Sequence, residues 1–183
     1  MSKEIYLTVR INDKCGPIDR GDIYEDPLDE VLQEQKLGEV TGSGTQLNED
    51  NKIEYCELEV SITGDVEKTK KVIIDTLNEI GTPKGSKLIE ENGETTFGNK
   101  EVMAVYFDNL LAEEVYEKND INDVLAELHD LLGGKGEMAN HSATEEETIV
   151  YFKGTSFVKM EKAVSEYCAK NELCENGKIL QES

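Results

Sequence analysis

One stretch of this chain occurs twice, and that repetition restricts its possible folds more than any other feature of the sequence. The first copy is residues 23–39, IYEDPLDEVLQEQKLGE, and the second is residues 115–137, VYEKNDINDVLAELHDLLGGKGE. Both begin with an apolar residue, a tyrosine and a glutamate, continue in a helical pattern and end in Gly-Glu. Diverged copies of one supersecondary unit indicate a repeat architecture. We therefore expect Val31 to be equivalent to Val124 and Leu32 to Leu125, and, beyond the copies themselves, Gly64 to match Gly154.

The elements around the first copy follow the order strand, helix, strand, strand, helix, strand. Strict alternation of apolar and polar residues predicts half-buried strands, whereas apolar residues at helical spacing predict amphipathic helices. Asp26 followed by Pro27 is typical of a helix start, since Asp can accept a bond from a free amide and Pro lacks the amide that would remain unpaired. The predicted elements are strands at 5–11, 41–45, 53–63 and 87–89, and helices from Asp26 to Gly38 and from Val66 to Ile80.

The same order returns after a polar joint at residues 92–100. The second set comprises a strand at 102–107, a helix at 121–132, a hairpin of 136–141 with 148–153, a helix at 157–168 and a short strand at 179–180. This pattern predicts an α+β fold of two tandem ferredoxin-like (βαββαβ) repeats, each an antiparallel sheet with helices on one face. We place the two domains at residues 1–91 and 99–183.

The charge of the chain restricts its partners. Nineteen Lys and Arg residues stand against 40 Asp and Glu residues, a formal net charge of −21. Both halves of the chain share the acidic excess: there are 11 basic and 22 acidic residues up to Gly98, and 8 basic and 18 acidic residues after it. Both halves repel polyanions, which argues against nucleic acid and anionic membranes and favours a basic protein, a cation or simple solubility.

The sequence also favours a cytoplasmic protein. No apolar run approaches the roughly 18 residues of a membrane span, and the first residues lead directly into a strand pattern without a signal peptide. The four cysteines, at positions 15, 56, 168 and 174, have no Cys-x-x-Cys spacing, so free and chemically inert thiols in a reducing compartment are the simplest interpretation.

We find no catalytic set, cofactor motif or metal site in the pattern. His129 is expected to be solvated on its helix, and His141 beside Ser142 lacks an identifiable orienting group. Residues 41–45, TGSGT, lack the GxxxxGK[ST] pattern of a phosphate loop and suit a bulged strand better. Asp19, Asp22, Glu25 and Asp26 could offer oxygens to Ca²⁺, although their spacing does not match a calcium loop. The chain is therefore predicted to be non-enzymatic, with no cofactor and no metal.

The strand faces predict where a partner would bind. In the first repeat, the face opposite the apolar rows carries tyrosines interleaved with carboxylates, a composition that suits a protein-binding surface but also an ordinary solvated face. Our candidate partner-binding residues are Tyr24, Glu25 and Asp26 in the first β-α loop, and Tyr55, Glu57 and Glu59 on the long strand.

The strands of the second repeat differ because they are apolar on both sides. Met103, Val105 and Phe107 alternate with Val102, Ala104 and Tyr106. A strand apolar on both faces is normally covered on both. We therefore expect the second sheet to be buried on both faces, with the first repeat as the nearest candidate for the cover.

This order of elements resembles ferredoxin-like domains, including the ACT-type regulatory modules that bind small metabolites. In size, acidity and unpaired cysteines the chain is also similar to bacterial immunity proteins and antitoxins, which neutralise basic nuclease toxins. The first function we predict is an inhibitor or immunity-type protein that binds a basic protein. The alternative is an ACT-like module that binds a small molecule through its β-α loops and the interface between repeats. The salt dependence of binding distinguishes the two functions, because electrostatic capture of a protein slows as ionic strength rises.

Overall fold

The computed structural model describes residues 5–183, and the chain divides into two compact units, the first ending at Asn99 and the second beginning at Lys100. The sheet of the first unit has five antiparallel strands in the order β2-β3-β1-β4-β5. Its strands are β1 (Ile5–Ile11), β2 (Gly38–Leu47), β3 (Ile53–Ile62), β4 (Ser86–Glu90) and β5 (Gly93–Phe97), and its helices are α1 (Pro17–Arg20), α2 (Asp26–Glu34) and α3 (Val66–Ile80).

One face of this sheet is the core of the first unit. Alternation along β1 and β3 turns every second side chain toward the helices, as expected for a sheet with one buried face. Val9, Leu58 and Leu88 from three adjacent strands are fully buried there. Leu32 of α2 and Ile73 of α3 pack in the same cluster. At the start of α3 the Asp65 side chain accepts a hydrogen bond from the Lys68 amide, and Gly81 ends the helix in the left-handed conformation.

The connection from β1 to α2 is helical from Pro17 onward, where the sequence pattern predicted no helix before Asp26. α2 begins at Asp26 as predicted, but it continues a helical path instead of starting from a capping residue. The helical path begins at Pro17 and passes through a π-helical turn, Gly21–Glu25, in which the Asp26 amide donates to the Gly21 carbonyl. The wider turn leads into Pro27 without requiring the amide hydrogen that proline lacks. Asp26-Pro27 therefore correctly predicted the start of α2 but not the helical turns that precede it.

The polar stretch at 92–100 is not simply a joint. β5 lies within it and pairs with β4 as a hairpin, with Phe97 beside Ser86 and nearly buried. Gly98 follows in a positive-φ conformation of +106°, and a side chain there would have its Cβ 2.1 Å from the Pro83 carbonyl oxygen. Only glycine accepts both the dihedral angle and the close approach.

The second unit has four antiparallel strands in the order β7-β8-β6-β9. Its strands are β6 (Glu101–Asp108), β7 (Gly136–Ala143), β8 (Glu147–Gly154) and β9 (Lys178–Gln181), and its helices are α4 (Glu113–Lys118), α5 (Ile121–Leu132) and α6 (Phe157–Lys170), followed by a 3-10 turn, Glu172–Cys174. The first four strands of unit one and the four of unit two have the same spatial order. The predicted α+β fold of two tandem ferredoxin-like repeats is confirmed.

Both faces of the second sheet carry buried side chains, as predicted. Met103, Val105 and Phe107 pack with α5 and α6 in one cluster. Val102 and Ala104 belong to a second cluster on the opposite face, with Ile149 and Tyr151. Val105 is 2% exposed and Ala104 is fully buried. The rows of apolar residues on both sides of β6 therefore correctly indicated burial on both sides.

The strand pairing gives the exact register of the repeat. Gly38 lies level with Ile62 and Gly136 with Gly154, and each of β2 and β7 then has a bulge at its fourth residue, Thr41 or Ala139. The prediction that Gly64 and Gly154 match is wrong by two residues, since Gly154 corresponds to Ile62.

The helix equivalences shift as well. The buried residues of α2 are Leu28 and Leu32, and those of α5 are Val124, Leu128 and Leu132. Val31 and Leu125 are only partly buried, so Val31 with Val124 and Leu32 with Leu125 do not occupy equivalent core positions. No helix within residues 5–183 is long and apolar enough to span a membrane.

Candidate functional site

The connection that follows the first strand of each unit is the clearest difference between the repeats. In the first unit this region is filled. The Tyr24 hydroxyl donates to Asp13 Oδ2 over 2.5 Å, and both side chains are buried. Burial, and then the nearby Asp13 charge, raises the pKa of Tyr24. The tyrosine of the first repeat copy is thus a core residue that fixes the end of β1 to the following helix.

Arg20 completes the packing of this region. Its two terminal nitrogens donate to Thr45 Oγ1 and Ser43 Oγ, at 2.5 and 3.0 Å, and its Nε lies 3.6 Å from a Glu25 carboxylate oxygen. The guanidinium therefore ties α1 to the glycine-rich strand β2.

The predicted contribution of Tyr24 to partner binding is wrong, because its side chain is fully buried. Glu25 is partly buried beside Arg20, and Asp26 is exposed on the helical side of the sheet. Neither lies on the face that carries Tyr55, Glu57 and Glu59. The six predicted binding residues therefore do not form one surface.

The equivalent region of the second unit is an open cleft. Tyr116, the tyrosine of the second repeat copy, is 42% exposed. Its hydroxyl donates to the Asp108 carbonyl oxygen and accepts from the Leu111 amide, both at 3.0 Å. Tyr116, like Tyr24, fixes the end of the preceding strand. It does so from the rim of the cleft, whereas Tyr24 lies in the core of its unit. The cleft beside it has a volume of about 700 Å³.

The cleft combines an apolar floor with an acidic rim. Phe107 and Leu173 on its floor are nearly buried. Its charged lining residues are four carboxylates and one ammonium group: Asp108, Glu117, Asp120, Asp123 and Lys118. An excess of carboxylates above apolar side chains favours a ligand that has a cationic group on an apolar body.

Two of these carboxylates are held in place by hydrogen bonds. Asp108 accepts from the Leu110 amide at 2.8 Å and from Asn176 Nδ2 at 3.0 Å. These bonds, the Leu110 amide first, lower the pKa of Asp108, which stays ionised. Asp120 accepts from the Asn122 amide at the start of α5. Asp123, one turn further, is exposed and is therefore available to a ligand.

The predicted strand residues do share a face. Glu57 and Arg10 form an ion pair of 2.8 Å, and the Arg10 guanidinium lies 4.2 Å from the centre of the Tyr55 ring. Glu59 is exposed, with one carboxylate oxygen 3.1 Å from the Thr41 hydroxyl. This face is less acidic than the sequence suggested, since Arg10 offsets Glu57. Opposite the two glutamates, Gly42 and Gly44 of β2 carry no side chains and leave a shallow groove of about 340 Å³.

The cleft was not identified from the sequence as a specific site. Its one available signal was the second copy of the repeat, since Tyr116 aligns with Tyr24 and both precede a helix. Across residues 5–183, no group of three or more His, Cys, Asp or Glu side chains is arranged to hold a metal ion. The acidic residues of the first β-α loop are accordingly not gathered around a common point.

No family model and no curated protein matches the chain. Three solved structures illustrate its similarity to known folds. TiaS, in a complex with a tRNA, AMPCPP and agmatine, has 12% identity and a TM-score of 0.36 over 88% of this chain, which spans 56% of TiaS. The ligand-free regulatory subunit of aspartate kinase from Thermus thermophilus has 10% identity and a TM-score of 0.28, covering 88% of this chain and 92% of that one. An aspartokinase of alpha and beta subunits has 14% identity and a TM-score of 0.26, covering 87% of this chain and 93% of that one. Scores at this level assign neither a family nor a function.

Proposed function

We propose that this protein is a non-enzymatic regulatory module that binds a small cationic molecule in the cleft of its second unit. The observation that carries the proposal is the contrast between the repeats. The same strand-to-helix region is closed by Tyr24 in one unit and open beside Tyr116 in the other. A fold that can fill this region but leaves it open in one copy has room for a ligand there.

The residues that line the cleft favour one class of ligand. A primary amine or guanidinium group would lie against the carboxylates of Asp108 and Asp123, while its hydrocarbon part would cover Phe107 and Leu173. Charge-assisted hydrogen bonds to ionised carboxylates are the stronger polar contacts in such a site. An anion would meet an excess of negative charge, so linear diamines, polyamines and basic amino acids are the appropriate candidates.

Titration calorimetry against that panel tests the proposal. Asp123→Asn should weaken binding of the preferred cation by about tenfold, since about 1.4 kcal/mol corresponds to a factor of ten. Asp130→Asn is the matched control, because Asp130 is an exposed carboxylate on the same helix that does not line the cleft. Absence of binding for the whole panel, or equal losses in the two variants, would exclude the cleft as a cation site.

A second candidate function, capture of a basic protein of the nuclease-toxin class, is favoured by the exposed face of the first sheet. Tyr6 is 49% exposed there and Glu59 is exposed two strand positions from the Arg10–Glu57 pair. Tyrosine supplies contact area and glutamate supplies charge selection at protein interfaces. Capture would also benefit from the net charge of −21.

Association kinetics with purified basic nuclease domains test this candidate. Glu59→Lys should lower the on-rate, and the on-rate should fall as the screening length shortens from about 10 Å at 0.1 M salt to about 3 Å at 1 M. Reversing the charge of Glu57 is a poorer test, because a lysine there would place a second cation beside Arg10. Glu49→Lys, in the exposed β2–β3 turn, is the control. An on-rate that ignores both salt and Glu59→Lys would remove the candidate.

A further inference from the structure

Each unit of the protein contains one pair of neighbouring cysteines, and the two pairs differ in access to solvent. In the first unit the sulfurs of Cys15 and Cys56 are 3.3 Å apart, and both residues are buried. In the second unit Cys168 and Cys174 line the same surface pocket, and both residues are partly exposed. Neither pairing follows from the spacing of the cysteines along the chain.

The backbone brings Cys168 and Cys174 together. Cys168 lies in the last turn of α6, after which the Asn171 amide donates to the Tyr167 carbonyl and the Cys174 amide to the Asn171 carbonyl, both at 3.0 Å. Consecutive turns therefore fold residue 174 back beside residue 168. The Cys174 carbonyl in turn accepts from the Gly177 amide at 3.0 Å, which fixes the far end of the turn next to β6.

The two thiols open onto a surface pocket of about 270 Å³. The charged residues lining that pocket are Glu161 and Lys178. The neighbouring Cys174 thiol lowers the pKa of Cys168, whereas the Cys168 thiol and then burial raise the pKa of Cys174. A thiolate, not a thiol, is the nucleophile in thiol chemistry. The pair thus has one better nucleophile and one adjacent thiol.

We propose that Cys168 and Cys174 form a reactive dithiol that low-molecular-weight disulfides oxidise to an intramolecular disulfide. The Cys168 thiolate attacks one sulfur of the reagent, forms a mixed disulfide and releases one thiolate. Cys174 then loses its proton to solvent and attacks the Cys168 sulfur, which releases the second thiolate. The two cysteines lose two electrons and the reagent gains them, so the exchange is balanced.

The buried pair in the first unit serves as an internal comparison. Cys15 and Cys56 are already in contact, so proximity alone would allow either pair to oxidise. Exposure distinguishes them, because a dissolved disulfide reaches the pocket of the second unit but not the core of the first. We expect Cys168 to react at least about tenfold faster than Cys15 or Cys56 in the folded chain.

Peptide mapping after treatment of the whole reduced chain with oxidised glutathione tests the proposal. Trypsin cuts after Lys162, Lys170 and Lys178, which places the two cysteines on the separate peptides 163–170 and 171–178. The expected product is these two peptides joined by a disulfide, formed before any link between peptides 15–20 and 53–68. In urea the preference should disappear, since unfolding exposes all four thiols.

Serine variants identify the attacking thiol. Cys174→Ser should stop at the mixed disulfide on Cys168, and Cys168→Ser should leave Cys174 unmodified over the same time. Circular dichroism shows whether both variants fold. If either serine variant is unfolded, the peptide map of the wild-type chain alone tests the proposal. A Cys15–Cys56 link that forms first, a wild-type chain that stops at mixed disulfides, or first attack by Cys174 would each overturn the proposal.

Discussion

Replacing Tyr24 with phenylalanine removes one hydroxyl from the core of the first unit and should destabilise it by an amount that depends on pH. The hydroxyl donates to the buried Asp13 carboxylate over 2.5 Å. Loss of a donor to a buried charged group costs about 1–3 kcal/mol. Because the phenylalanine ring fills nearly the same volume, we expect no additional cavity cost. At neutral pH the free energy of unfolding should therefore fall by about 1–3 kcal/mol.

The pH dependence follows from the raised pKa of Tyr24, which burial causes first and the Asp13 charge second. Below the unfolded pKa of about 10 the tyrosine is neutral in both states, and its stabilisation is fully present. Above that pH the unfolded chain loses the Tyr24 proton while the folded chain keeps it. The wild type should then lose about 1.4 kcal/mol per pH unit through this residue, and the phenylalanine variant should not.

Urea denaturation of the two proteins between about pH 7 and pH 11 measures the difference in unfolding free energy. That difference should be constant up to about pH 9.5 and shrink above pH 10. Tyr6→Phe, at a position that is 49% exposed, is the control and should show neither effect. A Tyr24→Phe difference that stays constant through pH 11 would refute the assignment of a protonated, buried Tyr24.

Two further predictions concern stability. Phe107→Ala removes a ring that is only 3% exposed and should cost about 3–5 kcal/mol in denaturant unfolding, whereas Val158→Ala, at a side chain 68% exposed, should change little; equal effects would contradict the described core. Gly98→Ala should lower the unfolding free energy by more than about 1 kcal/mol, because of its positive φ and the nearby Pro83 carbonyl. Gly93→Ala is the control, because the space around Gly93 is open, and it should change the unfolding free energy little. A Gly98→Ala variant with unchanged unfolding free energy would argue against the described backbone.

The elements with strict periodicity could be predicted because their burial repeats along the chain. The alternation along β1 and β3 and the stripe of α3 each follow a single buried face. Residues 93–97, GETTF, carry one apolar residue, and their strand depends on pairing with β4. Pairing partners are distant in sequence, so composition alone could not reveal β5.

The candidate site depended on information of a different kind. Tyr24 and Tyr116 hold matching places in the repeat, yet one is buried and the other exposed. What separates them is the packing of Asp13 and Arg20 in the first unit, residues that precede the repeated stretch. A local pattern can locate such a tyrosine on a strand-to-helix connection, but only three-dimensional packing decides whether that connection is closed or open.

The matching bulges at Thr41 and Ala139 have a consequence for how this protein behaves in concentrated solution. β2 and β7 are outer strands, and an outer strand offers unpaired amide and carbonyl groups to any other chain that can align with them. A bulge places two residues opposite one and increases the local twist, which breaks the regular spacing that a foreign strand would need. Both repeats thus carry the same bulge on their longer edge strand, where it opposes edge-to-edge association of folded molecules.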